Sequence, residues 1–134
     1  MVTVMADLRP RQARRLDVLI GHRLEYVRLD HAIVLSLSNR NQVVIEAPAL
    51  LVGPNGPFAV EPGVTSSDVL ATLLGETVRT ARARETGELE VTFGSGSQLL
   101  VAPDPDFESW ALVGPAGLLL VCLAGGELAV WGDA

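Results

Sequence analysis

The hexapeptide Leu51-Val-Gly-Pro-Asn-Gly56 returns as Leu112-Val-Gly-Pro-Ala-Gly117, identical at five of six positions. A segment written twice points to a fold with two related halves, against the alternative that small α+β domains reuse such patterns without duplication. The hydrophobic pattern ahead of each copy repeats as well. Ile33, Leu35 and Leu37 alternate with other residues, as do Leu89, Val91 and Phe93 at an offset of 56. Both runs end in a short polar turn, Ser38-Asn-Arg-Asn41 or Gly94-Ser-Gly-Ser97, followed by a glutamine and a second apolar run. Alternation of this kind marks half-buried strands, so each half is expected to contain an antiparallel hairpin.

The repetition extends further upstream. Leu19-Ile-Gly21 matches Leu73-Leu-Gly75 at an offset of 54, and each glycine is followed by a strand with a phase error. Leu24 and Val78 sit on one parity, whereas Val27, Leu29 and Ala81, Ala83 sit on the other. A one-residue slip reverses the face of every later side chain, so a β-bulge is expected in both strands. Ahead of each strand lies a segment that reads as a helix. Ala13, Leu16, Leu19 and Ile20 form one stripe after Pro10, and Val69, Leu70, Leu73 and Leu74 form the other after the N-cap candidates Thr65-Ser-Ser-Asp68; Gly21 and Gly75 serve as stops. The expectation is a single α+β domain over residues 1–134, with two helices and about eight to ten mostly antiparallel strands. It is built as a duplicated helix–strand–strand–strand unit over about 10–60 and 63–131, with residues 1–8 disordered. The two halves are expected to form one curved sheet or open barrel with the helices on one side.

The most distinctive text lies near the end: Phe107-Glu-Ser-Trp110, then Leu118–Cys122, then Gly125-Gly-Glu-Leu-Ala-Val-Trp131. It reads as a three-strand meander with Trp110, Leu112 and Val121 in the core and Gly125-Gly126 in a tight turn. These motifs resemble a family of small bacterial proteins of unknown function, with a Glu-Ser-Trp strand and a Gly-Gly-Glu-Leu-Ala-Val-Trp-like ending. The resemblance covers Gly21 to Trp131; Ala124 stands where a proline is expected. It implies a fold and carries no activity.

Composition narrows the functional classes. Hydrophobic residues are 49% and charged residues 19% of the chain, which fits a globular domain and not a disordered one. No apolar run approaches the ~20 residues of a membrane span, and Met1-Val-Thr-Val-Met-Ala-Asp7 lacks the layout of a signal peptide. A cytoplasmic location is expected. Cys122 is the single cysteine, so an internal disulfide and a multi-cysteine zinc site are excluded.

All ten basic residues are arginine. Residues 1–40 hold seven of them against four acids, whereas residues 41–134 hold three against twelve. From Glu85 onward there are eight acids and no base. Such a surface disfavours nucleic acid and anionic membrane and favours a cationic partner. Arg9, Arg11, Arg14 and Arg15 read as a solvated face.

No catalytic set assembles from the residues. Asp104, Asp106 and Glu108 are two apart, but Pro103 and Pro105 make a stiff solvated loop the better reading, and the ligand spacing of a calcium loop is missing. Gly94-Ser-Gly-Ser97 connects two strands and reads as a hairpin turn, not a nucleophile elbow. His22 and His31 flank a strand nine residues apart, too loosely placed to imply a shared metal, and no cofactor is expected. The first functional expectation is a non-catalytic domain that binds a protein partner, as do the broadly similar small, acidic immunity proteins of bacterial toxin systems. The second is a small-molecule binder or cryptic enzyme with a pocket at Glu108 and Trp110. Trp131, near the chain end and on the strand face opposite Leu128 and Val130, marks a candidate homodimer contact. The candidate binding residues are therefore Glu108, Trp110 and Trp131.

Overall fold

A computed structural model describes residues 13–54, 56–63 and 69–132. Among them, eleven strands form two antiparallel sheets. The chain order is β1 (Leu24–Leu29), β2 (Ile33–Leu37), β3 (Asn41–Ile45), β4 (Ala49–Val52), β5 (Phe58–Val60), β6 (Val78–Ala83), β7 (Leu89–Phe93), β8 (Gln98–Val101), β9 (Trp110–Val113), β10 (Leu119–Cys122) and β11 (Leu128–Trp131). Sheet A runs β1-β2-β3-β9-β10-β11 and sheet B runs β5-β4-β8-β7-β6.

The expected α+β class with two helices is therefore wrong: the protein is mostly β. The segment Ala13–Leu19 is a 3-10 helix and Leu70–Leu73 a single 3-10 turn. The reason lies in the spacing of the apolar residues. A 3-10 helix eclipses side chains three apart, and the buried residues are Ala13, Leu16 and Leu19 in one segment and Leu70 and Leu73 in the other. Ile20 and Leu74, counted into α-helical stripes from the sequence, are 46% and 47% exposed. The proposed caps at Thr65–Asp68, Pro10, and the expected disorder of residues 1–8 lie outside the described residues. A single curved sheet with helices on one side is replaced by two sheets sharing one core, which takes Leu35, Val43 and Leu112 from sheet A and Val91, Leu99 and Val101 from sheet B. Each three-strand meander is preceded by a 3-10 segment where an α-helix was expected.

What repeats is a strand meander that hands its later strands to the opposite sheet. The first half builds β1-β2-β3 in sheet A and gives β4 and β5 to sheet B; the second builds β6-β7-β8 in sheet B and gives β9 and β10 to sheet A. Register follows the same rule: Leu99 pairs with Leu51, and its counterpart Val43 pairs with Leu112. Both first strands carry their register break at the same place, between Leu24 and Tyr26 and between Val78 and Thr80. The halves meet reciprocally. The amide of Gly21 donates to Val78 O and that of Gly75 to Leu24 O, each at 2.8 Å. Leu24 N donates to Glu76 O at 2.9 Å and Val78 N to His22 O at 2.8 Å. An isolated bridge, Arg23 to Thr77, lies between them.

The C-terminal meander β9-β10-β11 closes sheet A, so β10 is covered on both sides and only β11 is an edge there. Trp110 and Leu112 join the core cluster; Val121 is buried on the outer face. Two turns lock this meander to sheet B. The φ of Gly87 is +96° and that of Gly126 is +100°, and a Cβ at Gly126 would stand 2.0 Å from Thr86 O. Into this backbone-to-backbone contact Trp110 sends its indole, Nε1 donating to Gly87 O at 2.9 Å, with Cys122 Sγ 3.5 Å from the same oxygen. The Trp and Gly-Gly motifs of the ending thus form one latch.

Candidate functional site

The segment leading into β9 carries three carboxylates and ends at a tryptophan, and the fold separates their roles. Trp110 is 1% exposed and belongs to the latch. Ser109 is also buried; its amide donates to Cys122 O at 3.2 Å and its carbonyl accepts from Glu46 N at 2.8 Å. Burial pushes the Cys122 thiol above its ordinary value, and the neighbouring Ser109 hydroxyl offsets part of that rise. Glu108, one residue earlier, is exposed. The structure therefore does not bring Glu108 and Trp110 into one cleft. Trp131, on the edge strand β11, is 52% exposed and pairs with Leu119.

Glu108 instead lies on a shallow concavity of about 570 Å³ at one end of sheet A. The residue following β3 is Glu46, the loop before β9 supplies Asp106, Phe107 and Glu108, and the β10–β11 turn supplies Glu127. Local turn chemistry sets the loop. The Asp104 carboxylate accepts the amides of Asp106 at 2.8 Å and Phe107 at 3.1 Å, an Asx turn, and Asp104 O accepts Gly125 N at 2.8 Å. Bound in this way, Asp104 does not converge with Asp106 and Glu108. Among the described residues no three His, Cys, Asp or Glu side chains are placed to hold a metal ion.

The turn leaves Phe107 71% exposed on the same concavity as Glu46, Asp106, Glu108 and Glu127. All four carboxylates are exposed, and none forms an ion pair among the described residues. By contrast, Glu90 on β7 is 5% exposed and held by Arg82, Nε to Oε1 2.9 Å, and by Arg84. Burial alone would raise its carboxyl, but the two guanidinium hydrogen bonds and charges hold it below the ordinary value of 4.5. Glu90 of sheet B is thus matched internally, and the acids around Phe107 are not.

Sequence reasoning singles out Glu108 but misses Phe107, Glu46 and Glu127 as its neighbours. The available signal is Asp104-Pro-Asp, whose Asx-turn chemistry turns the following aromatic outward. The union with Glu46 and Glu127 has no sequence signal, since it depends on β3 pairing with β9.

His22 Nδ1 lies 2.9 Å from Ser38 Oγ, while His31 is exposed. No described helix is long and apolar enough to cross a membrane.

No curated protein and no solved structure matches the chain. The model of a family of unknown function, DUF6188, matches residues 16–132, from the first buried leucine to just past the end of β11. The chain belongs to this family.

Proposed function

We propose that this protein is a non-catalytic binding domain that engages a basic protein partner through the concavity centred on Phe107. The observation that carries the reading is an aromatic side chain 71% exposed among four carboxylates without a paired cation among the described residues. Aromatic anchors dominate binding energy when a partner covers them, and unpaired charge around them speeds encounter with an opposite surface. Neutralisation of a basic toxin in the cytoplasm, as immunity proteins perform it, is the activity such a surface serves. The test compares wild type with Phe107→Ala and Glu108→Arg as baits. The expected result is a basic partner, identified by mass spectrometry, that is held at low salt by the wild type and lost from both variants. Recovery of the same proteins on all three baits, or of none on the wild type, would refute it.

A second contact is supported by the outer face of sheet A. Register aligns Val34, Val44, Ala111, Val121 and Ala129 across five strands, and the row ends on β1 at exposed Arg28. Leu119 and exposed Trp131 lie in the adjacent row. The corresponding row on sheet B contains Glu90. The apolar part of this face, from β2 to the free edge of β11, suits a two-fold copy of itself. Sedimentation at ~100 µM should show a dimer that Trp131→Ala weakens without unfolding the domain; a monomeric wild type would end this reading.

A further inference from the structure

The two related halves allow one location to be compared twice within a single chain. At the end of sheet B, where the β7–β8 and β4–β5 turns meet, a cavity of about 340 Å³ opens. Leu51, Phe58 and Val69 form apolar walls, and Glu76, Ser95 and Ser97 line it with polar atoms. The equivalent location at the end of sheet A is plugged. There Asn41, 0% exposed, occupies the place of Ser97, and Leu118, 8% exposed, the place that strand register assigns to Gly56. Gly114 faces both plugs: a Cβ placed there would meet Leu118 Cδ2 at 3.1 Å and Asn41 Oδ1 at 3.4 Å. Among the described residues its counterpart Gly53 faces Ser97 Oγ alone, at 3.3 Å. The asparagine that fills one end is thus a serine at the other, and the place of Leu118 is a glycine against which the Phe58 ring lies.

The polar groups at the open end are arranged and not fully used. Glu76 Oε1 accepts the Ser95 amide at 3.1 Å, which holds the carboxylate over the turn, and no cation pairs with it among the described residues. Ser95 Oγ lies 3.2 Å from Ser97 Oγ and accepts the Ser97 amide at 3.3 Å. The sheet-A counterpart of Glu76 is His22, whose ring is taken up by Ser38. An apolar cavity near the lower end of the ~300–1,000 Å³ range of ligand sites, with one acceptor-only charged group and three hydroxyls, of which that of Thr72 already donates to Val69 O, selects a particular ligand chemistry.

We propose that this cavity binds a small organic ammonium: a compact apolar body seated against Leu51, Phe58 and Val69, with its protonated amine on the Glu76 carboxylate and the Ser97 hydroxyl. The amine supplies the donors that Glu76 lacks, and the apolar body fills the space beside the Phe58 ring that Asn41 fills at the other end. The cavity shares no residue with the concavity around Phe107, so either reading can fail alone.

Benzylamine, benzyl alcohol and benzoate serve as probes on the full chain, titrated while backbone amide shifts are followed by NMR. Benzylamine should bind saturably with a dissociation constant at or below about 1 mM and shift the amides of Val69, Glu76 and Ser95. Benzyl alcohol should bind about tenfold more weakly and benzoate not measurably. Glu76→Gln, which keeps the acceptor for Ser95 N, should bring benzylamine to the level of the alcohol. Ser97→Asn, which installs the plug of the other half, should abolish binding of both, with circular dichroism confirming the fold. Absence of saturation by ~10 mM benzylamine would overturn the proposal. So would equal affinity for amine and alcohol, or indifference to Glu76→Gln.

Discussion

Gly125 and Gly126 are adjacent, both left-handed, and differ in what surrounds them, which makes them a controlled pair. The φ of Gly125 is +84°, with nothing within 4 Å of the position a Cβ would take; that of Gly126 is +100°, with Thr86 O at 2.0 Å and Pro103 Cβ at 3.5 Å. Gly125→Ala should therefore cost only the backbone penalty for an L-residue in the left-handed region, roughly 1–2 kcal/mol. Gly126→Ala carries that penalty and a steric one. Its methyl would lie more than 1 Å inside the ~3.3 Å at which C–H···O contacts sit, so the β6–β7 and β10–β11 turns must separate. Separation stretches the Trp110 Nε1 bond to Gly87 O, now 2.9 Å, and a broken buried bond costs about 1–3 kcal/mol. The expected total for Gly126→Ala is about 2–5 kcal/mol, a large share of the ~5–15 kcal/mol that holds a domain together. Urea unfolding followed by circular dichroism reads the difference directly, as a midpoint lower for Gly126→Ala than for Gly125→Ala. The indole proton of Trp110 should also exchange faster in Gly126→Ala alone. Coincident midpoints with an unchanged indole resonance would refute the latch.

Trp110→Phe keeps a ring in the core but leaves Gly87 O with the weak Cys122 thiol contact, and should lower stability by about 2–4 kcal/mol in the same urea assay. Glu90→Gln tests the Arg82–Glu90–Arg84 cluster through pH. Because the folded carboxyl titrates below 4.5, its contribution is present above the ordinary carboxylate range and fades as pH falls through the folded value. The wild type should exceed the variant in stability at neutral pH, and the gap should close below that range; a gap independent of pH would exclude the ionic origin. Cys122, buried with its thiol pushed up, should resist iodoacetamide in the native protein and react promptly in urea.

The hairpins and the bulges are legible in the sequence because each rests on a short-range pattern. Alternation in Ile33–Leu37 and Leu89–Phe93 can be satisfied by one geometry, and the shared phase error after Gly21 and Gly75 requires a bulge in each half. Helical content is misread for an equally local reason. Residues at i and i+3 satisfy both α and 3-10 periodicity, and only packing against the sheets shows that Ile20 and Leu74 are outside the stripe. That packing includes the first 3-10 segment lying on β6 of the other half, a contact no window of sequence contains.

The candidate sites divide along the same line. The amino-acid sequence alone determined that a hexapeptide and the hydrophobic pattern ahead of it recur, that the C-terminal portion is acidic and that a tryptophan stands two residues after Glu108, because these are properties of residue order and charge. Tertiary structure decided which of them share a surface. Strand exchange between the halves pairs β3 with β9 and β4 with β8, and through it Glu46 joins Phe107 and Glu127 while Leu51 joins Ser95 and Ser97. It also separates Glu108 from Trp110. Residues two apart share a face only while the chain stays extended in a sheet, and β9 begins at Trp110, so the core claims the indole while Glu108 stays with the solvated loop that the Asp104 turn shapes.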